Sequence, residues 1–442
     1  MNRSLRIAVF VGTFPVVSET FIVRQIAGLF NLGHSMDIYA DCRAEPNTPI
    51  PGEVEKHRLM DRATFMDMPP ESAPWEIPVW PLTGRTWPPG AEKSVHNSIR
   101  FARVIPKLLS CLKSHPAFTM SVLKPSEYGY QAKSLSALYR LAKLTSMRRQ
   151  YDLLHAHFGP IGNSFRFARQ LWKAPLIVSF HGYDFSTFPR KHGGDFYVKL
   201  FATADVITVN SEYTRRQVEK LGCPPSKIQK LPVGLDLAEF PFHERSPKSG
   251  EPIRLLTVGR LVDIKGYEFA IRAYAKLKQR HSSLCYDIVG DGPLRQKMEK
   301  LISELNLQNS VTLHGARESA VVRRMMDGAH IFLLASVSID GDQEGQGLVL
   351  QEAQASGLPV IATQHGAFPE GVVAGESAFL VPERDPDAIA ERLAFLIEHP
   401  ETWPAMGQRG RKFVEQNYDI HKLNLQLAGI YEKAIESYQR TA

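Results

Sequence analysis

Two consecutive α/β domains, each built on a parallel sheet, are what this sequence predicts. Three observations carry that expectation. The chain has 442 residues, well beyond the roughly 250–300 at which a single core stops growing. Short apolar runs alternate with stretches of helical period in two separate series. Between the series, over residues 232–249, the pattern breaks into Pro, Gly and charged residues, which is the composition of a linker.

The first series opens with an apolar run over residues 5–11, closed by Gly12, Thr13, Phe14 and Pro15. A helical pattern follows over 20–32, Gly33 stops it, and a second apolar run covers 36–40. Strand, helix, strand in that order is a βαβ unit, and it implies parallel pairing. Residues 43–98 are rich in Pro and polar side chains and read as an irregular excursion. Strands are expected again at 152–157, 176–180 and 205–209. The second series predicts strands at 254–258, 285–289, 311–314, 331–335 and 359–362, with a helical tail from Asp385. The expected organisation is a first Rossmann-like domain over 1–236, a second over 250–418, and a closing helix over 419–442 that packs back on the first domain.

Composition narrows the class. Hydrophobic residues are 43% and charged residues 22% of the chain, ordinary for a folded globular protein. No apolar run approaches the roughly 20 residues that span a bilayer, and the run at 7–11 is too short for a secretory signal. Cys42, Cys111, Cys223 and Cys285 lie far apart with no C-x-x-C pair. That spacing argues against a zinc site or a disulfide framework and for reduced thiols in the cytoplasm. The net charge of +7 points to an anionic partner without identifying it.

The second series supplies the chemistry. After the run at 254–258 comes Gly259, then Arg260, Lys265 and Gly266, then a helical pattern. A glycine turn at the carboxyl end of a parallel strand is where open α/β sheets bind ligands. Two cations there, beside a helix N-terminus, suit a diphosphate. Gly290 and Gly292, with Asp291 and Pro293, form a second and weaker turn of this kind. Further on, Glu344 and Glu352 flank a loop containing Gly345, Gln346, Gly347 and Leu348. Eight positions of helix would span about 12 Å, the separation of the sugar from the ribose in a sugar nucleotide. On this reading Glu344 holds hydroxyls of a donor sugar and the N–H groups of Gly345 to Leu348 meet phosphate. Glu352 takes the ribose hydroxyls.

This segment resembles the E-x7-E signature of the retaining glycosyltransferases of family 4, and the similarity extends over most of the chain. Glu344 and Glu352 fall on the two glutamates of that signature, and Arg260 and Lys265 on the cations that neutralise the donor diphosphate. Ala355 to Val360, with Pro369 and Glu370, also match. The resemblance implies the GT-B type of fold, two Rossmann-like domains facing each other across a cleft that holds the active site. The N-terminal run Phe14, Pro15, Val16, Val17, Ser18, Glu19, with His155, His157, Gly159, Phe180, His181 and Asp184, is similar to a narrower group, the enzymes of colanic-acid and other exopolysaccharide assembly. One departure lies at 364–369, where relatives more often carry a second glycine at the position of Ala367.

What the resemblance implies is transfer of a hexosyl unit, with retention, from a nucleoside diphosphate sugar to a lipid-linked or oligosaccharide acceptor. His181 would lie near the donor sugar and the attacking hydroxyl. Gly12 has two open readings, close approach of backbone to a phosphate or a tight turn. Glu19 either lines the acceptor side or caps the helix that begins near Thr20. His155 and His157 remain open between structure and function. No side chain offers itself as a covalent nucleophile. Asp340 and Asp342 spell a D-x-D pattern, but Arg260 and Lys265 already supply positive charge, so no metal and no cofactor are expected. The alternative is a nucleotide-sugar epimerase on the same fold. A dinucleotide oxidoreductase fails, since neither half carries G-x-G-x-x-G after its first strand.

Between residues 99 and 150 there are ten cations (Arg100, Arg103, Lys107, Lys113, Lys124, Lys133, Arg140, Lys143, Arg148, Arg149) and one acid, Glu127. Interleaved apolar residues, Phe101, Val104, Ile105, Leu108, Leu109 and Leu112, then Leu135, Leu138, Leu141 and Leu144, suggest amphipathic helices. The expectation is a cytoplasmic protein held at the inner face of the membrane by anionic lipid. Nucleic acid is not expected as a partner, because no recognised binding module accompanies the charge.

Overall fold

The computed structural model describes residues 3–16, 19–45, 50, 52–66, 93–147, 149–248 and 250–441, with side chains from Val104 onward in the helix Lys93–Ser114. Val17 and Ser18 of the N-terminal motif, Arg148, and the side chains of Arg100 and Arg103 lie outside the described residues, as does the stretch from 67 to 92.

The chain forms two compact units. The first comprises residues 1–209, 217–229 and 424–442, and the second comprises 210–216 and 230–423. The irregular stretch expected as a linker, 232–249, is counted with the second unit.

In the first unit, seven strands form one sheet: β1 (Arg6–Phe14), β2 (Ser35–Arg43), β3 (Ala63–Phe65), β4 (Leu153–His157), β5 (Leu176–Phe180), β6 (Val206–Val209) and β7 (Ile228–Lys230). Their order is β3-β2-β1-β4-β5-β6-β7. β1 pairs in parallel with both β2 and β4, Val9 standing opposite Ile38 on one side and His155 on the other. The excursion expected at 43–98 is therefore corrected. It contains β3, which adds to β2 in parallel, and the start of the helix Lys93–Ser114.

The second unit holds six strands, β8 (Ile253–Val258), β9 (Leu284–Val289), β10 (Val311–Leu313), β11 (Ile331–Leu334), β12 (Val360–Thr363) and β13 (Ala378–Val381). They lie in the order β10-β9-β8-β11-β12-β13, every pair parallel. This is the doubly wound order of a Rossmann domain, with its reversal between β8 and β11.

Side-chain alternation explains why these runs read as uninterrupted apolar segments. Leu255, Ile331, Leu333 and Ile361 belong to a core on one face of the second sheet, together with Tyr267, Ile271 and Trp403. Their neighbours Leu256, Phe332, Leu334, Val360 and Ala362 belong to a separate core on the opposite face, with Leu350, Phe368 and Val414. A strand buried on both faces has no polar side to show.

The helix Ser136–Ser146 is a correction to the amphipathic reading. Leu138, Leu141 and Leu144 are buried in the first unit. Arg140 faces inward too, donating to both carboxylate oxygens of Asp41 at 2.8 Å. The two side chains are only 2% and 5% exposed. The apolar face packs on the fold, and this cation is a core partner. Removing one member of such a pair leaves the other charge buried alone, a loss of about 3–5 kcal/mol. Arg140→Met should destabilise the first unit by that order in urea unfolding, whereas Arg140→Met combined with Asp41→Leu should recover most of it. Equal losses in the single and double variants would refute the pairing.

Candidate functional site

In the second unit the strand order reverses between β8 and β11, the place where open α/β sheets take ligands, and Arg260, Lys265 and Glu344 lie on the loops that follow these two strands. β8 ends at Val258, and Gly259 carries the chain to an exposed Arg260 and the short 3-10 turn Asp263–Lys265. A Cβ at Gly259 would come within 3.3 Å of Lys265 Cε, so the lysine stem runs back over the glycine. The turn closes at Gly266, whose φ is +61°. A Cβ there would lie 1.8 Å from the carbonyl oxygen of Ala335, so only glycine lets the turn meet the end of β11. Val337 N–H donates to Ile264 C=O at 2.8 Å, joining the two loops directly.

Glu344 sits on the second of these loops. Lys265 Nζ donates to its Oε2 at 2.7 Å, and Ser336 Oγ donates to Oε1 at 2.5 Å. Both members of the ion pair are mostly buried, with side-chain exposures of 16% and 15%. Burial pushes the Glu344 carboxyl up, but the Lys265 ammonium and the hydrogen bonds from Lys265 and Ser336 outweigh it, so it lies below the usual carboxylate range. The spacing assigned Lys265 and Glu344 to different parts of a ligand. The structure brings them into contact.

The expected helical span between the two glutamates is corrected. The helix is Leu348–Ala355, and Gly347, at φ +75°, is its N-cap. Only the second half of the interval is helical, and Glu352 lies half-buried within the helix. A Cβ on Gly347 would come within 2.4 Å of the Phe368 ring. Gln346, expected to offer its backbone N–H, has its side chain engaged elsewhere. Its amide oxygen accepts from Val233 N–H at 2.8 Å and its amide nitrogen donates to Val233 C=O at 2.9 Å, so the side chain is a brace. Gly345 C=O is taken by Ser211 Oγ at 2.7 Å. Asp340, at φ +49°, is exposed in a turn where Ile339 and Asp342 bond each other through their backbones.

In the first unit, His181 follows β5 and is packed edge-on by Phe21 and Phe158, each 4.8 Å between ring centroids. Its Nε2 lies 3.2 Å from His157 Nδ1. Behind them, His155 bonds Tyr431 OH through Nδ1 and Ser179 Oγ through Nε2, both at 2.7 Å. The turn after β5 is held by Asp184, which the spacing had not singled out. Its carboxylate accepts from the N–H groups of Gly159, His181 and Gly182, the last at 2.8 Å. Burial nonetheless lifts the Asp184 carboxyl to about 6. Gly12 is corrected to a position inside β1, which continues to Phe14, so the tight-turn reading falls. A Cβ at Gly12 would meet only Ile161 Cδ1 at an ordinary 3.5 Å. Glu19 stands at the N-cap of the helix Thr20–Asn31, but its side chain makes no capping bond. Burial raises its carboxyl to about 7.

Burial lowers His155 and His181 to about 3 and His157 well below its ordinary range. The unfolded chain takes up these protons near pH 6.5 and the folded one does not, so stability is present above that pH and is lost as pH falls below it. Glu19 contributes the opposite slope, since its raised carboxyl favours the folded state at lower pH. His155→Gln can keep the hydrogen bonds without the titration. Between pH 6.5 and 5 its unfolding free energy should fall less steeply than that of the parent chain, by up to about 1.4 kcal/mol per pH unit. Parallel pH curves would show that the imidazole is not held neutral.

Residues 239–413 match the family model for glycosyl transferases group 1, and residues 112–239 that for glycosyltransferase family 4. The protein named as a colanic acid biosynthesis glycosyltransferase, WcaL, of Salmonella typhimurium is 30% identical over 434 residues, covering 97% of this chain and 100% of its own. The amylovoran biosynthesis glycosyltransferase AmsK of Erwinia amylovora is 29% identical over 436 residues, with the same coverages. Among solved structures, Anabaena HepE in complex with UDP superposes with a TM-score of 0.67 at 16% identity, covering 97% of this chain and 100% of that one. The sucrose-phosphate synthase of Thermosynechococcus elongatus also gives 0.67, at 20% identity over 98% of this chain and 100% of that one. These structures show the fold, two Rossmann-like domains of the GT-B type. The epimerase alternative draws no support from these matches. With both domain models placed side by side and a relative matched end to end, the chain belongs to the family 4, group 1 glycosyltransferases.

Proposed function

We propose that this enzyme transfers a hexosyl unit, with retention, from a nucleoside diphosphate sugar to a hydroxyl of a lipid-linked or oligosaccharide acceptor in exopolysaccharide synthesis. The observation that carries the proposal is the Lys265–Glu344 pair at the reversal between β8 and β11, with Ser336 behind it and Arg260 exposed beside it. Arg260 and Lys265 stabilise charge on the departing diphosphate. Glu344 accepts from hydroxyls of the sugar, the N–H groups of Gly345, Gln346, Gly347 and Leu348 face phosphate, and Glu352 accepts from the ribose. His181, Glu19 and Gly12 serve the acceptor and the reacting centre. Attack comes from the face that the diphosphate leaves. The bond from the anomeric carbon to the acceptor oxygen forms as the bond to the diphosphate oxygen breaks. The acceptor proton passes to the diphosphate.

A screen of UDP- and GDP-sugars by thermal shift, followed by detection of the glycosylated product, identifies the donor. With that donor, Lys265→Ala should lower transfer about 10²–10³-fold while the protein still folds. Activity should persist in excess EDTA, because protein cations carry the neutralising charge. Near-normal turnover of the variant refutes the diphosphate role, and loss restored by Mn²⁺ or Mg²⁺ would make Asp340 and Asp342 metal ligands.

We further propose peripheral attachment to an anionic membrane at the cytoplasmic face. No helix among the described residues is long and apolar enough to cross a membrane. On the helices Lys93–Ser114 and Pro116–Val122, however, Ile105, Leu109 and Met120 are 55%, 61% and 54% exposed. Lys113 and Lys124 are exposed near them. The basic, apolar patch proposed to meet the lipid is residues 104–124. Co-sedimentation with liposomes should rise with anionic lipid and fall with salt. Lys113→Gln with Lys124→Gln should weaken it about fivefold per charge, at roughly 1 kcal/mol each. Protein that stays in the supernatant throughout overturns the attachment.

A further inference from the structure

Beneath Glu344 lies a second carboxylate, joined to it through an imidazole, and neither has a part in the reading above. His365 follows β12 and its side chain is fully buried. Glu383 follows β13. His365 Nε2 accepts from the backbone N–H of Glu344 at 3.0 Å. A peptide N–H can only donate, so Nε2 carries no proton and the ring is the neutral Nδ1–H tautomer. That Nδ1–H donates to Glu383 Oε1 at 2.7 Å. Glu383 is fixed in turn by Ser338, whose N–H donates to Oε2 at 2.7 Å and whose Oγ donates to Oε1 at 2.9 Å.

The same loop holds the other side of Glu344. Ala367 N–H donates to Glu344 C=O at 3.0 Å. Gly366, at φ +48°, brings the loop so close that a Cβ would stand 2.4 Å from that carbonyl oxygen. The residue is thus gripped through its N–H by His365, through its C=O by Ala367, and through its carboxylate by Lys265 and Ser336. This accounts for the departure at Ala367: the loop uses its backbone N–H, which any residue but proline provides.

We propose that Glu383 and His365 are positioning residues, a carboxylate–imidazole pair that selects the tautomer able to accept the Glu344 N–H and so aims the Glu344 carboxylate at the donor sugar. The proposal rests on the reading of Glu344 as the ligand of that sugar. A side chain aimed this way by its supports loses rate steeply when it drifts. The loss falls on the sugar and leaves the nucleotide, held elsewhere, largely untouched.

The test uses the full chain, with UDP-glucose, UDP-galactose and GDP-mannose as donor probes and UDP or GDP as the matching free nucleotide. Glu383→Gln keeps the shape but cannot offer two acceptor oxygens. It should lower the rate of donor turnover, read without acceptor as release of free sugar, about 10- to 100-fold. Affinity for the free diphosphate, by calorimetry, should stay within about twofold. Protein labelled with ¹⁵N-histidine should show His365 with Nδ1 protonated and Nε2 bare, its resonances assigned by their absence in His365→Gln. This measurement on the parent chain holds even if a variant fails to fold. A protonated Nε2 overturns the proposal. So does Glu383→Gln with parental turnover while Glu344→Gln is impaired, and so does a variant that loses diphosphate and sugar nucleotide alike. If Glu344→Gln itself turns over donor at the parental rate, the reading of Glu344 fails first.

Discussion

A parallel sheet has to be covered on both faces, and much else in this chain follows from that constraint. The alternation of Leu255 with Leu256, and of Ile331 and Leu333 with Phe332 and Leu334, fills two cores at once. Each strand is therefore separated from its parallel neighbour by a crossover along one face. Every crossover returns the chain to the same edge, so the loops that leave the carboxyl ends of the strands collect there. Residues as far apart in sequence as Lys265 and Glu344 meet because β8 and β11 are neighbours.

That edge concentrates charge as well as loops. Lys265 and Glu344 neutralise one another in a largely buried place. Neither is spent as a surface ion pair, whose worth is small. Arg260 is exposed on the same loop.

How far the sequence could be read depends on where each element lies in its sheet. The central strands announced themselves as apolar runs, since both faces are buried. The three strands without a clear signal, β3, β7 and β13, stand at the edges of their sheets and are three or four residues long. Edge strands are short and need bury less. The E-x7-E interval was visible as a glycine loop entering a helix, but eight helical positions were too many: Gly347 interrupts it in the left-handed region, and the helix begins only at Leu348. Supporting residues were hidden for another reason. Ser336, His365 and Glu383 act through hydrogen bonds between loops, which leave no periodicity behind.

The last helix, Ile420–Thr441, carries a consequence for how the protein comes into being. From Asn424 onward its residues belong to the first unit. Tyr431 closes the bond to His155, Tyr438 lies under the Arg169 guanidinium, and Asn424 packs beside Gly28. The first unit is thus built from segments on both sides of the second. A ribosome makes its sheet first, but the buried His155 imidazole meets its tyrosine only after the residues of the second unit have been made. Completing domains one by one in order of synthesis is therefore not open to this unit.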